Sequence, residues 1–144
     1  MKYITTINKN IEEKVEIFAH KRSKLVEQIE TLCENDEIQI FGYYEDEKHL
    51  LDINNIQRIF VEGDKLIASV ETKHYRIKSR LYLIEEIVGN NFIKINQSCL
   101  VNKHFIKYFK SSWKGSLFIE LKNGEKDFIS RRQTKTVLER MGLK

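Results

Sequence analysis

The stretch Ile56-Gln57-Arg58-Ile59-Phe60-Val61-Glu62-Gly63-Asp64-Lys65-Leu66-Ile67-Ala68-Ser69-Val70-Glu71 decides the fold class. Two runs rich in branched and aromatic residues, Ile56 to Glu62 and Lys65 to Glu71, flank Gly63-Asp64. Glycine can supply the positive φ that a tight hairpin requires, so the stretch predicts two antiparallel strands. Similar short runs bounded by turn signals recur downstream: His74 to Lys78, Phe92 to Ile95, Cys99 to Asn102, Phe105 to Lys110, Ser116 to Lys122 and Lys126 to Ile129. The last two are joined by Asn123-Gly124, a strong hairpin signal. This spacing is that of an antiparallel β unit. It is interrupted by one short helix, on which Leu81, Ile84, Ile87 and Val88 share a face ahead of Gly89 as C-terminal cap. Thr134 to Met141 reads as a terminal helical turn.

Upstream, residues 2 to 7 and 14 to 19 read as two strands, the second from the alternation of Val15, Ile17 and Ala19 with Glu16 and Phe18. Between Ser23, a plausible N-cap, and Asn35, the residues Leu25, Val26, Ile29, Leu32 and Cys33 recur at helical spacing. Ile38 to Tyr44 and Lys48 to Ile53 then form an expected hairpin around the solvated turn Glu45-Asp46-Glu47. The expected architecture is mainly β, α+β overall: an elongated antiparallel β domain with a short helix, preceded by a small αβ extension.

Charge locates a division that composition hides. Residues 1–52 carry seven Lys/Arg against twelve Asp/Glu, whereas residues 53–144 carry eighteen against nine. The expected organisation is therefore an acidic extension, 1–52, serving dimerisation or regulation, and a basic domain, 53–144. Such a domain suits a polyanion, which binds through phosphate neutralisation and counterion release. At 41% hydrophobic content, the chain can bury a core and is not a disordered tail. No apolar run approaches the roughly 18 to 20 residues that cross a bilayer, and Met1 to Thr5 lack the apolar core of a signal peptide, so the cytoplasm is the expected compartment. Cys33 and Cys99 have neither disulfide-framework nor zinc spacing and read as buried or half-buried thiols. No glycine-rich phosphate loop or nucleophile motif is present, and His20, His49, His74 and His104 are dispersed. No catalytic residue, metal or cofactor is expected.

Two polar clusters stand out. In Phe92-Ile93-Lys94-Ile95-Asn96-Gln97-Ser98-Cys99-Leu100-Val101-Asn102, a strand breaks into Asn-Gln-Ser and resumes. Planar amides can meet the N6 and N7 edge of adenine, and a serine can serve a phosphate; the plain alternative is an exposed turn. In Ile129-Ser130-Arg131-Arg132-Gln133-Thr134-Lys135, two guanidinium groups follow a strand and suit bidentate contact with guanine or phosphate, or else simply begin a solvated basic helix. Lys94, Lys103, Lys107 and Lys110 are candidates for phosphate contact, or else form an ordinary solvated strand face. Trp113 reads as a core residue, with packing beside sugar-phosphate as the alternative.

In order and spacing, these pieces resemble the LytTR-type DNA-binding domain of bacterial response regulators. The resemblance runs over about residues 53 to 142: the opening Asp52 to Ile59, Tyr75-Arg76-Ile77-Lys78-Ser79-Arg80-Leu81, Phe92 to Ile95 with Ser98 and Val101-Asn102, then Asn123-Gly124 and Ile129-Ser130-Arg131-Arg132. It implies an elongated β domain that presents loops to successive major grooves. Residues 1–52 resemble the extension of small stand-alone members without a receiver domain. The implied DNA-binding set is Asp64, Lys65, Asn96, Gln97, Ser98, Asn102, Ser130, Arg131 and Arg132, with Gln97 and one of the two arginines as base readers; Lys94 and Lys103 join it as phosphate contacts on charge alone. The implied function is a transcription regulator of double-stranded DNA, acting as a homodimer and held in check by a membrane protein. Two rivals remain at this level. One is a β-rich module that recruits a protein partner by strand addition. The other is a single-strand or RNA binder, which would place exposed aromatics beside basic residues; no such pairing is evident in the sequence.

Overall fold

Apolar alternation becomes a strand only where a neighbour completes its hydrogen bonds, and this condition separates the two parts of the chain. The computed structural model describes residues 2–34 and 39–143. It divides into two compact units, residues 1–36 and 37–144. In the first unit, α1 (Lys24–Glu34) forms where the spacing predicts it, and the Val26 amide donates to Ser23 Oγ at 3.3 Å. Val26 is buried, while Leu25 and Leu32 are exposed. The expected strands at 2–7 and 14–19 are absent. Their β-formers Ile4 and Ile7 are more than 90% exposed, with no strand partner to satisfy the backbone. Cys33 is exposed rather than buried. Asn35 and Ile38, the expected end of the helix and start of the hairpin, lie outside the described residues.

The second unit holds two antiparallel sheets. The strands β1 (Gln39–Tyr44), β2 (Glu47–Asp52), β3 (Arg58–Glu62), β4 (Lys65–Val70), β5 (Lys73–Ile77), β6 (Phe92–Asn96) and β7 (Cys99–Asn102) pair in the order β2-β1-β5-β4-β3-β7-β6. The strands β8 (Ile106–Ser111), β9 (Leu117–Leu121) and β10 (Lys126–Ile129) form the second sheet in the order β10-β9-β8. Helices α2 (Leu81–Val88) and α3 (Arg131–Arg140) complete the unit. Gly63 has a φ of 64°, the positive value the predicted turn requires, while Gly89 stands at the C-cap of α2 with φ 73° and ψ −164°, a glycine-only conformation rather than the left-handed helical cap expected. Because β1 pairs with β5, the β1–β2 hairpin belongs to the second unit. The structural division therefore lies near residue 36, ahead of the charge step near residue 52.

Each face of the large sheet has its own cover. Ile59, Ala68, Tyr75 and Ile77 pack with Ile84 and Val88 of α2, whereas Ile93, Ile95, Cys99 and Val101 pack with Ile119, Leu121, Ile129 and Val137 of the small sheet and α3. Full burial of such side chains contributes about 1.5–3 kcal/mol each, so these two clusters hold the unit together. On the second face, the small sheet and α3 cover β6, β7 and β3. Farther across, Arg76 of β5, Lys78 just after it, and Phe41 and Leu50 of β1 and β2 stay exposed.

Candidate nucleic-acid interface

Two backbone hydrogen bonds gather three chain segments at one end of the large sheet. The Val61 amide donates to the Ser98 carbonyl at 2.9 Å, so β3 runs past the β6–β7 turn into its own turn at Gly63-Asp64. The Ser130 amide donates to the Ile95 carbonyl at 2.9 Å, which docks the start of α3 beside β6. Asp64, Lys65, Gln97, Ser98, Arg131 and Arg132 are exposed there, and Ser130 is half-buried. Arg131 and Arg132 begin α3, whose first turn holds no acidic residue. The positive end of a helix dipole disfavours cations by roughly 0.3–1 kcal/mol. Two arginines at that position are adverse for the isolated helix and favourable for an anion bound in front of it.

Asn96 is the post on which this end is built, and its role corrects the expectation that it faces DNA. It is 4% exposed. Its Nδ2 donates to the Phe128 carbonyl at 2.9 Å and to Asp127 Oδ1 at 3.2 Å, while its Oδ1 accepts from the Ser98 amide at 2.8 Å. The side chain thus ties the Gln97-Ser98 turn to β10, leaving none of its polar atoms for a base. Asp127 is held in turn by Arg58 Nη1 at 2.9 Å, and the same guanidinium donates through Nε to Glu125 Oε1 at 2.9 Å. Ser69 and His74 also reach Glu125, at 2.9 and 3.2 Å. Burial alone would raise the Glu125 carboxyl, but hydrogen bonds from Ser69 and Arg58 and the charges of Arg58 and His74 outweigh it and hold the group below the ordinary glutamate range. Nearby, burial pushes the Cys99 thiol far up, so it is an inert core group.

Four other expected contacts are buried, distant or already paired. Asn102 is 2% exposed at the far end of β7; its Nδ2 donates to the Ile56 carbonyl at 3.1 Å, and its Oδ1 accepts from the His104 amide at 3.1 Å. Its neighbour Lys103 shares that distant position. Lys94 Nζ lies 3.8 Å from Glu85 of α2, and Lys107 Nζ lies 3.7 Å from Glu120, so both ammonium groups already face carboxylates. Trp113, expected in the core, is 91% exposed between β8 and β9. A short tryptophan turn flanked by Ser112 and Lys114 has no facing layer to bury it.

A family model described as the LytTr DNA-binding domain matches residues 46–142. The chain belongs to the LytTR family. Among curated proteins, it is 27% identical over 104 residues to an uncharacterized HTH-type transcriptional regulator of Staphylococcus aureus strain NCTC 8325, covering 72% of this chain and 71% of that one. It is 28% identical over the same length to the counterpart in the bovine strain RF122. Among solved structures, the LytTr DNA-binding domain of a methyl-accepting/DNA response regulator from Bacillus cereus matches with a TM-score of 0.68 at 17% identity, covering 73% of this chain and 97% of that one. That likeness establishes a shared fold. The phrase HTH-type in the relatives' names does not describe this LytTR fold: α2 and α3 are separated by five strands, so no consecutive helix pair spans them.

The LytTR sheet also collects basic residues that were legible only as part of a motif. Leu66 pairs with Ile77, so Lys65 of the first turn lies beside the end of β5. Lys65, Arg76, Lys78 and Arg80 line a cleft of about 280 Å³ together with Ser79 and one carboxylate, Asp64. The sequence spacing of Arg76, Lys78 and Arg80 hinted at a common edge, but their approach to Lys65 depends on strand pairing.

Proposed function

We propose that this LytTR protein is a sequence-specific transcription regulator of double-stranded DNA, reading successive major grooves through the Gly63–Lys65 turn, the Gln97–Ser98 turn and the start of α3. The observation that carries this reading is the convergence of the three segments at one sheet end, with Gln97, Arg131 and Arg132 exposed and Asp127, which holds Asn96 behind the turn, bound to Arg58. Gln97 and Arg132 are the base readers, and Lys65, Ser98, Ser130 and Arg131 serve the backbone. The chemistry is that of planar amides and guanidinium groups on base edges.

Affinity selection from random duplex DNA at two salt concentrations tests this. An enriched motif should emerge, and Arg132→Ala or Gln97→Ala should weaken binding to it by about 1–3 kcal/mol and relax one position. Unchanged binding by Gln97→Ala, Arg131→Ala and Arg132→Ala alike would dismantle the assignment. Few base-reading side chains per copy favour a homodimer on paired half-sites, which the spacing of the selected motif would reveal. Within residues 1–52, the part expected to serve dimerisation or regulation, the first unit carries exposed Tyr3, Ile4, Ile7 and Phe18 and is the part to which we give that role. Membrane-protein control of this segment predicts co-purification with a membrane fraction; consistent failure to co-purify would count against it.

A further inference from the structure

We propose that the uncovered half of the large sheet, built by β1, β2 and β5, is a second DNA contact that grips the phosphate backbone flanking the segment read by the turns. This rests on the duplex-DNA reading above. Strand alternation sends Tyr75 and Ile77 into the core beneath α2 and leaves Arg76 and Lys78 on the opposite face. Tyr43 pairs with Arg76 across β1–β5, and Tyr43 with Lys48 across β1–β2, so their side chains share that face. Lys78 Nζ lies 4.3 Å from the Tyr43 ring centre, and Lys48 Nζ lies 4.1 Å from that of Phe41. The rings hold two ammonium groups in place at an exposed surface.

The two halves of this face differ in how their cations are balanced. Under the small sheet, Arg58 bonds two carboxylates. On the open half, none of Lys48, Arg76 and Lys78 has a carboxylate within 4.0 Å among the described residues. Three cations without an ion-pair partner among the described residues, on one surface, favour a polyanion. The open half is continuous with the reading end through the cleft that Lys78 shares with Lys65. From β5 to β7 is three strand spacings, about 14 Å. Lys48 on β2 lies two strands farther, about 24 Å from β7, and both spans are less than the roughly 34 Å helical repeat of DNA, so one duplex can span both regions. β1, which supplies Phe41 and Tyr43, precedes residues 46–142 matched by the family model, so the complete face is a feature of this chain rather than of that matched segment.

The test uses the full chain and a random-sequence duplex of about 30 base pairs, three helical turns. Affinity is measured against salt for the native protein and for Lys48→Gln/Arg76→Gln/Lys78→Gln. Each lost phosphate contact reduces the slope of log affinity against log salt by about 0.9, so the triple variant should lose about 2.7. The three single variants, each expected to lose about 0.9, serve if the triple variant fails to fold. A retained slope in folded variants that still bind duplex overturns the second contact while leaving the three-turn reading intact. If the native chain shows no salt-dependent duplex binding, the DNA reading itself fails and the second contact falls with it. The same titration on a single-stranded oligonucleotide closes the remaining route: if Phe41→Ala and the triple variant weaken single-strand binding and spare duplex binding, the face is a base-stacking platform and the proposal is overturned.

Discussion

Replacing Asn96 by alanine separates a structural post from a base reader. The substitution removes a bond to the Phe128 carbonyl, a longer bond to Asp127 and the acceptor for the Ser98 amide. Each neutral bond is worth about 1 kcal/mol net. The bond to the carboxylate is at the weak end of its class, because Asp127 keeps Arg58 and the Phe128 amide. The sum is about 3 kcal/mol of lost stability, a large part of the 5–15 kcal/mol typical of a domain. Equilibrium urea denaturation measures it directly. Asn96→Asp should do no better, since it keeps the acceptor for Ser98 but cannot donate to Phe128 and sets a second carboxylate against Asp127. The reasoning is refuted if Asn96→Ala unfolds at the native urea concentration yet loses base preference on duplex DNA. That outcome would return Asn96 to the contact set and place the turn's rigidity elsewhere.

Other substitutions probe the frame behind the turns. Arg58→Met leaves Glu125 and Asp127, both 19% exposed, without their shared cation; a loss of about 3 kcal/mol in denaturant stability is expected, and a neutral result would show the network to be ornamental. Glu125 titrates below its unfolded value of about 4.3. Its contribution is therefore full above that value and is lost as pH falls through the lower folded one. Stability measured from about pH 6 downward should fall less steeply in Glu125→Gln than in the native chain, whereas parallel curves would contradict the assignment. Gly42→Ala would place a Cβ 2.5 Å from Leu51 Cδ1 and 2.8 Å from Tyr75 Cβ. Leu51 Cδ1 can rotate aside, but relief of the Tyr75 Cβ contact requires moving β1 or β5, so a thermal-melt loss of about 1–3 kcal/mol is expected; an unaltered melt would mean that β1 shifts freely against β5.

Much of the secondary structure was legible because its signals are local. The alternation of Leu66, Ala68 and the β3 residues around Gly63, the Asn123-Gly124 turn and the Ile84–Val88 face before Gly89 all specify conformation within a few residues of themselves. The turn at Gln97 and the polar start of α3 at Arg131 were legible for the same reason: a polar break between apolar runs brings at least part of itself to solvent. Tyr3 to Ile7 and Val15 to Ala19 carried a comparable β signal and formed no strand, because propensity supplies no hydrogen-bonding neighbour. Sequence also left Asn96 and Gln97 alike, two adjacent polar amides. The closure of β10 and α3 against β6 buried one and left its neighbour in water.

By itself, then, the sequence determined a β-rich LytTR chain with polar turns and a basic second part, since alternation, turn chemistry and charge are properties of neighbouring residues. Only the tertiary structure decided the strand order, the shared sheet end of Lys65, Gln97 and Arg132, the pairing of Lys48 and Lys78 with Phe41 and Tyr43, and the withdrawal of Asn96 and Asn102 into the protein. Those outcomes depend on which distant strands pair and which half of a sheet is covered, and both are set by the packing of the whole unit.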